Sequence, residues 1–173
     1  MRDLQCLLDE LVSLDASDPF LTGRLDLARV AVMGFSLGGG VAADTARLES
    51  RIRCAALLDA HIDFSFYSAL NSQGLQKPFL AMNSTIPLPW LGDLSPMSQR
   101  LFILATNNAT WLKINNTDHF AFSDWAWSVD LTSASRPGAA AINACLIWFF
   151  DTYLKGEAPP FPSNAEIYNV RRK

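Results

Sequence analysis

The sequence has little charge, few thiols and few imidazoles, and each shortage removes a class of function. Of 173 residues only 18% are charged, with 14 basic against 17 acidic side chains and a net charge of -3. No basic excess exists to neutralise a phosphate backbone, so nucleic acid is not an expected partner. No uninterrupted apolar run approaches the ~20 residues that cross a bilayer. The three cysteines, Cys6, Cys54 and Cys145, are odd in number and far apart. Neither a disulfide framework nor a thiolate metal cluster follows from them. The opening segment MRDLQCLLDELV carries acids throughout and no small-residue cleavage site, so no signal peptide is read there and a cytoplasmic location is the default expectation. Sequons beginning at Asn83, Asn108 and Asn115 leave the compartment open.

What the chain does have is apolar substance: half of its residues are hydrophobic. At this length roughly two thirds of the unfolded surface is buried on folding, enough for one domain with a sizeable core. Leu4, Leu7, Leu8 and Leu11 recur at helical spacing and predict an amphipathic helix over residues 3–14. Val30–Met33 reads as a strand with both faces covered, and residues 37–49 as a helix. Further short apolar runs at 54–58, 78–82 and 110–114 predict strands. Residues 98–107 and 139–154 predict helices, and the proline-bearing segment 156–173 a surface tail. Strands alternating with helices indicate an α/β fold with a mostly parallel sheet of about four strands and flanking helices. The domain is expected over residues 1–155.

The most informative window is VAVMGFSLGGGVAAD, residues 30–44. Gly34-Phe35-Ser36-Leu37-Gly38 satisfies G-x-S-x-G, with an apolar strand just before it and a small-residue helix just after. A sharp strand-to-helix turn of this kind is expected to need glycine two residues either side of the serine, where a side chain would collide with the neighbouring strand or helix, and it lifts the serine to the top of the sheet. The helix amino terminus then faces any developing oxyanion. The competing view is a plain connecting turn with Ser36 as helix N-cap. A dinucleotide-binding loop is worse supported, because its second glycine would have to stand at position 36.

A serine hydroxyl needs a base, and the base needs an orienting acid. The chain holds two histidines. His119 follows the fourth strand, where a base reaches back over the carboxyl edge of a parallel sheet. His61 is the alternative, only two residues beyond Asp59. Asp59 ends the second strand on the edge that carries Ser36, with Asp63 in reserve. The third strand ends in Met82-Asn83-Ser84 and offers no carboxylate, and Asp118 reads as a loop or cap residue. Phe64, Phe66, Tyr67, Phe120, Phe122, Trp125 and Trp127 divide between core and an acyl pocket or lipid-facing surface.

The stretches Gly23–Gly34 with its turn, Ala55-Ala56-Leu57-Leu58-Asp59-Ala60, and Trp111–Ile114 with Asp118-His119-Phe120 and Ser123-Asp124 resemble the α/β-hydrolase superfamily. Within it they resemble the plasma and type II platelet-activating factor acetylhydrolases. That resemblance implies Ser36 as nucleophile, Asp59 as orienter, His119 as base and the Leu37 N–H as an oxyanion donor. It implies hydrolysis of a short sn-2 acyl group of a phospholipid, without metal or cofactor and with transient contact with a lipid surface. Phe35 stands where those relatives generally carry histidine. They also carry several strands before the turn, so the resemblance implies a carboxyl-terminal half in which the Val30–Met33 strand is an open edge that invites self-association. The alternatives are a related hydrolase acting on another small ester or polyester, and a non-catalytic fragment or interaction protein.

Overall fold

The computed structural model describes residues 2–62, 67–106, 108–124 and 135–173. Five strands, β1 (Val30–Phe35), β2 (Ile52–Leu58), β3 (Phe79–Ser84), β4 (Ala109–Ile114) and β5 (Ile167–Arg172), form one sheet in sequential order. The first four are parallel and β5 runs antiparallel to β4. The helices are α1 (Arg2–Ser17), α2 (Leu37–Leu48), α3 (Ser68–Gln73), α4 (Ser95–Leu104) and α5 (Ser135–Phe150). A 3-10 turn spans His119–Phe122, and a single π turn, Asp151–Lys155, continues α5. This is the α/β fold with a mostly parallel sheet that the strand and helix pattern predicts.

Strand periodicity divides the core into two. Ile52, Ala55 and Leu57 of β2, Phe79 and Ala81 of β3, and Trp111 of β4 pack with Ala42, Ala43, Leu70 and Leu101 from α2, α3 and α4. The alternate residues Cys54, Ala56, Leu58, Leu80, Met82 and Leu112 pack with Ala141, Cys145 and Phe149 from α5. Because successive side chains leave opposite faces of a strand, the continuous apolar runs of β2 and β3 serve both layers at once. Their carboxyl ends meet along one rim, where the candidate residues stand.

Several boundaries differ from the sequence expectation, each for an identifiable reason. Helix α4 starts at Ser95, three residues early, because Pro96 occupies its first turn, where no N–H is needed. Helix α5 likewise takes Pro137 into its first turn. Helix α1 buries only Leu8, and Leu7 is 52% exposed, so the expected leucine stripe is half open.

The segment expected as a surface tail contributes β5. Its side chains are almost all exposed, so no apolar alternation marks it. It is held by backbone pairing to β4 and by cations on aromatic faces: Arg171 lies 5.8 Å from the Trp111 ring centroid and Arg172 5.0 Å from that of Trp148.

Candidate active site

The turn between β1 and α2 places Ser36 at φ 54°, ψ -122°, a region that a side chain rarely adopts. Backbone bonds hold it there: Ser36 N–H donates to Leu58 O at 3.0 Å, and Ser36 O accepts from Gly39 N at 3.0 Å and His61 N at 2.9 Å. Close packing explains two of the glycines. A Cβ on Gly34 would lie 2.0 Å from Gly38 O, and one on Gly39 would lie 2.5 Å from Ala60 Cβ. Gly38 has nothing within 4 Å of such an atom, so the steric demand falls on Gly34 and Gly39 and not on Gly38. The Ser36 hydroxyl makes no capping bond to α2, which removes the plain N-cap view.

That hydroxyl instead meets His119. Ser36 Oγ lies 2.9 Å from His119 Nε2, and His119 Nδ1 lies 2.9 Å from Asp59 Oδ2. The structure therefore brings Ser36, His119 and Asp59 into one hydrogen-bonded line from three separate loops. His119 is 6% exposed and Asp59 1%, so their bond lies where water competes little, while the bond to Ser36 is part-buried. Phe35 covers one face of the imidazole with ring centroids 4.5 Å apart, and Phe120 meets it edge-on at 5.7 Å. The Asp118 carboxylate accepts from Phe120 N and Ala121 N and caps the 3-10 turn that carries His119. Leu37 opens α2, so its N–H is among those left without an intrahelical partner. His61 joins the site through its backbone bond to Ser36 O.

Sequence reasoning missed how Asp59 is held. Its Oδ1 accepts from Asn83 Nδ2 at 2.9 Å and Ser84 N at 3.1 Å, and its Oδ2 accepts from Ser84 Oγ at 2.9 Å as well as from His119. Four donors fill the capacity of an ionised carboxylate. The end of β3, noted only for lacking an acid, supplies three of them. Its one available signal was an Asn-Ser pair closing an otherwise apolar strand. Asn83 also heads a sequon, yet its side chain is fully buried, so the folded chain does not present it for glycosylation.

A cavity of about 500 Å³ lies on the α5 side of the sheet, bordered by Met33, Leu58, Phe122, Ile142 and Leu146. Ser36, Asp59 and His119 are not among its lining residues, so it is not counted with the site. Phe122 and Tyr67 are buried, at 6% and 2% exposure, and belong to the core. Asp63, Phe64, Phe66, Trp125 and Trp127 lie outside the described residues. Among the described residues no group of three His, Cys, Asp or Glu is placed to hold a metal ion, and no helix is long and apolar enough to cross a membrane.

A family model described as PETase, PET hydrolase-like, matches residues 1–134. A solved ferulic acid esterase from Streptomyces cinnamoneus is 26% identical with a TM-score of 0.73, covering 95% of this chain and 51% of its own. The chain thus spans about half the length of that esterase. No curated protein matches.

These matches correct the acetylhydrolase resemblance. The glycine-flanked serine and the Ser, Asp, His order are shared across unrelated activities of one superfamily, so they do not single out that branch. The esterase likeness also extends over nearly all of this chain, and the view of it as the carboxyl-terminal half of an acetylhydrolase is set aside with that resemblance.

Proposed function

The chain belongs to the PET hydrolase-like family, and from that premise we propose that it is a serine hydrolase of carboxylic esters, acting on a small ester or on the ester link of a polyester. The observation that carries this is the line of two 2.9 Å contacts joining Ser36 Oγ, His119 and Asp59.

In this mechanism Ser36 Oγ attacks the ester carbonyl carbon while His119 Nε2 takes the hydroxyl proton. The carbonyl oxygen becomes an oxyanion, towards which the Leu37 N–H at the amino end of α2 donates. The tetrahedral intermediate collapses, the carbon–oxygen bond to the leaving group breaks, and His119 returns the proton to the departing alcohol. Water then attacks the acyl-serine, with His119 again acting first as base and then as acid. Asp59 accepts from His119 Nδ1, which keeps Nε2 free to receive the proton and stabilises the imidazolium once formed.

An ester of an aromatic acid is the substrate to try first. The solved relative is named for ferulic acid and the family for a terephthalate polyester, and Phe35 and Phe120 place apolar rings beside the imidazole. Neither match concerns a phospholipid, so the sn-2 acyl group is dropped as the substrate.

The test is covalent. A fluorophosphonate probe should label Ser36, located by peptide mass spectrometry, and Ser36→Ala should abolish both labelling and turnover of p-nitrophenyl esters while the circular-dichroism spectrum stays unchanged. A folded protein that takes no label, or a Ser36→Ala variant that hydrolyses esters undiminished, overturns the proposal.

A further inference from the structure

The hydrogen bonds that converge on Asp59 continue into the core. Trp111 of β4 and Asn83 of β3 are both fully buried. The Trp111 indole N–H donates to Asn83 Oδ1 at 2.9 Å, and Asn83 Nδ2 donates to Asp59 Oδ1 at 2.9 Å. An indole nitrogen can only donate, so the oxygen end of the Asn83 amide must face Trp111. The amino end is thereby forced towards the carboxylate. A donor fixed in that direction holds the carboxylate in one orientation.

We propose that Trp111 and Asn83 form a buried positioning relay that fixes the Asp59 carboxylate beneath His119. The inference rests on the reading above, in which Asp59 orients the catalytic imidazole. Of the other donors to Asp59, the Ser84 N–H is set by the strand and the Ser84 hydroxyl can rotate. Asn83 alone passes an orientation outward from the core. His119 is the only ionisable side chain bonded to Asp59 among the described residues. Lys113, the register partner of Asn83 on β4, is paired with Asp93 at 3.3 Å.

The decisive variant is Asn83→Leu. It keeps the branched shape of the side chain but offers no donor to Asp59. The relay requires kcat on p-nitrophenyl acetate to fall about tenfold or more with KM held within about twofold, because orientation and not binding is lost. The low-field proton resonance of the His119 Nδ1–H bonded to Asp59 should vanish or shift in the same variant. If Asn83 merely fills space, neither quantity changes, and that result overturns the relay.

A second measurement needs no variant and no turnover. In the unaltered protein the Asn83 side-chain amide protons should resist exchange with deuterated water far longer than those of exposed asparagines such as Asn116. In Trp111→Phe that protection should drop. Exchange in the unaltered protein as fast as at an exposed asparagine also overturns the relay, even if Asn83→Leu cannot be folded. Retained turnover in Ser36→Ala would instead strike the ester-hydrolase reading itself, so the two failures are distinguishable.

Discussion

The Phe35 ring lies over the His119 imidazole with centroids 4.5 Å apart and planes tilted by 37°. The residue preceding Ser36 therefore covers the group that the serine hydroxyl contacts. Phe35→Ala should uncover the imidazole face and cost about 2 kcal/mol of stability, since the ring is half-buried and also forms an aromatic pair. Ester turnover should drop by roughly an order of magnitude as the imidazole gains freedom, while Phe35→Leu should retain most of it. Steady-state kinetics beside a urea melt checks both.

The two glycines that flank Ser36 are not equivalent. Gly34→Ala would drive a methyl group into the Gly38 carbonyl, and we expect a loss on the order of 3 kcal/mol together with loss of fluorophosphonate labelling. Gly38→Ala meets open space and should be neutral or gain up to about 1 kcal/mol from helix propensity. Denaturation midpoints of the two variants measured side by side decide this.

Thiol chemistry should divide the cysteines sharply. Burial pushes the Cys54 and Cys145 thiols up to about 12, whereas Cys6 is exposed. Only thiolates react readily. Ellman's reagent at pH 8 should therefore modify Cys6 promptly and the other two only after denaturant is added. Rapid modification of all three in the native protein would contradict the packing of β2 against α5.

Acid should weaken the protein in part through Glu49. Hydrogen bonds from the Arg51 side chain and backbone hold its carboxyl down at about 2, against 4.5 for a free glutamate. A carboxyl whose folded value is depressed contributes stability that is fully present above the unfolded value and is lost as pH falls through the folded one. Glu49→Gln should accordingly flatten the fall of the melting temperature between pH 4.5 and 2, and leave its shape near neutrality unchanged.

How much of this was legible in the sequence depends on what each element asks of its residues. The turn at Ser36 announces itself because close packing at Gly34 and Gly39 forbids larger side chains, and the apolar runs of β2 and β3 are strong because two layers must be covered. Strand β1, expected to be covered on both faces, is only half-buried and leaves Met33 exposed. Asp59 and His119 could be nominated by chain order and strand ends. Phe35 could be read as a bystander and not as the cover over an imidazole, since stacking is a property of the folded arrangement. Asn83 and Trp111 were invisible for a different reason: a buried amide bonded to an indole leaves no periodicity, charge or motif. Strand β5 was hidden because its backbone pairs while its side chains stay in solvent, which is the pattern of a tail. The family, too, was not decided by the turn and the Ser, Asp, His order, because these are shared too widely.

The backbone bonds around Ser36 have one further consequence. The oxygen of Ser36 is gripped by His61 N and its nitrogen by Leu58 O, so the segment presenting Ser36 is riveted to the segment presenting Asp59. These two corners behave as a single mechanical part. Natural variation that adapts the protein to bulkier esters should accumulate in segments outside this block, such as the loop with exposed Ile86 and Trp90, while residues 58–61 stay locked in step with the turn.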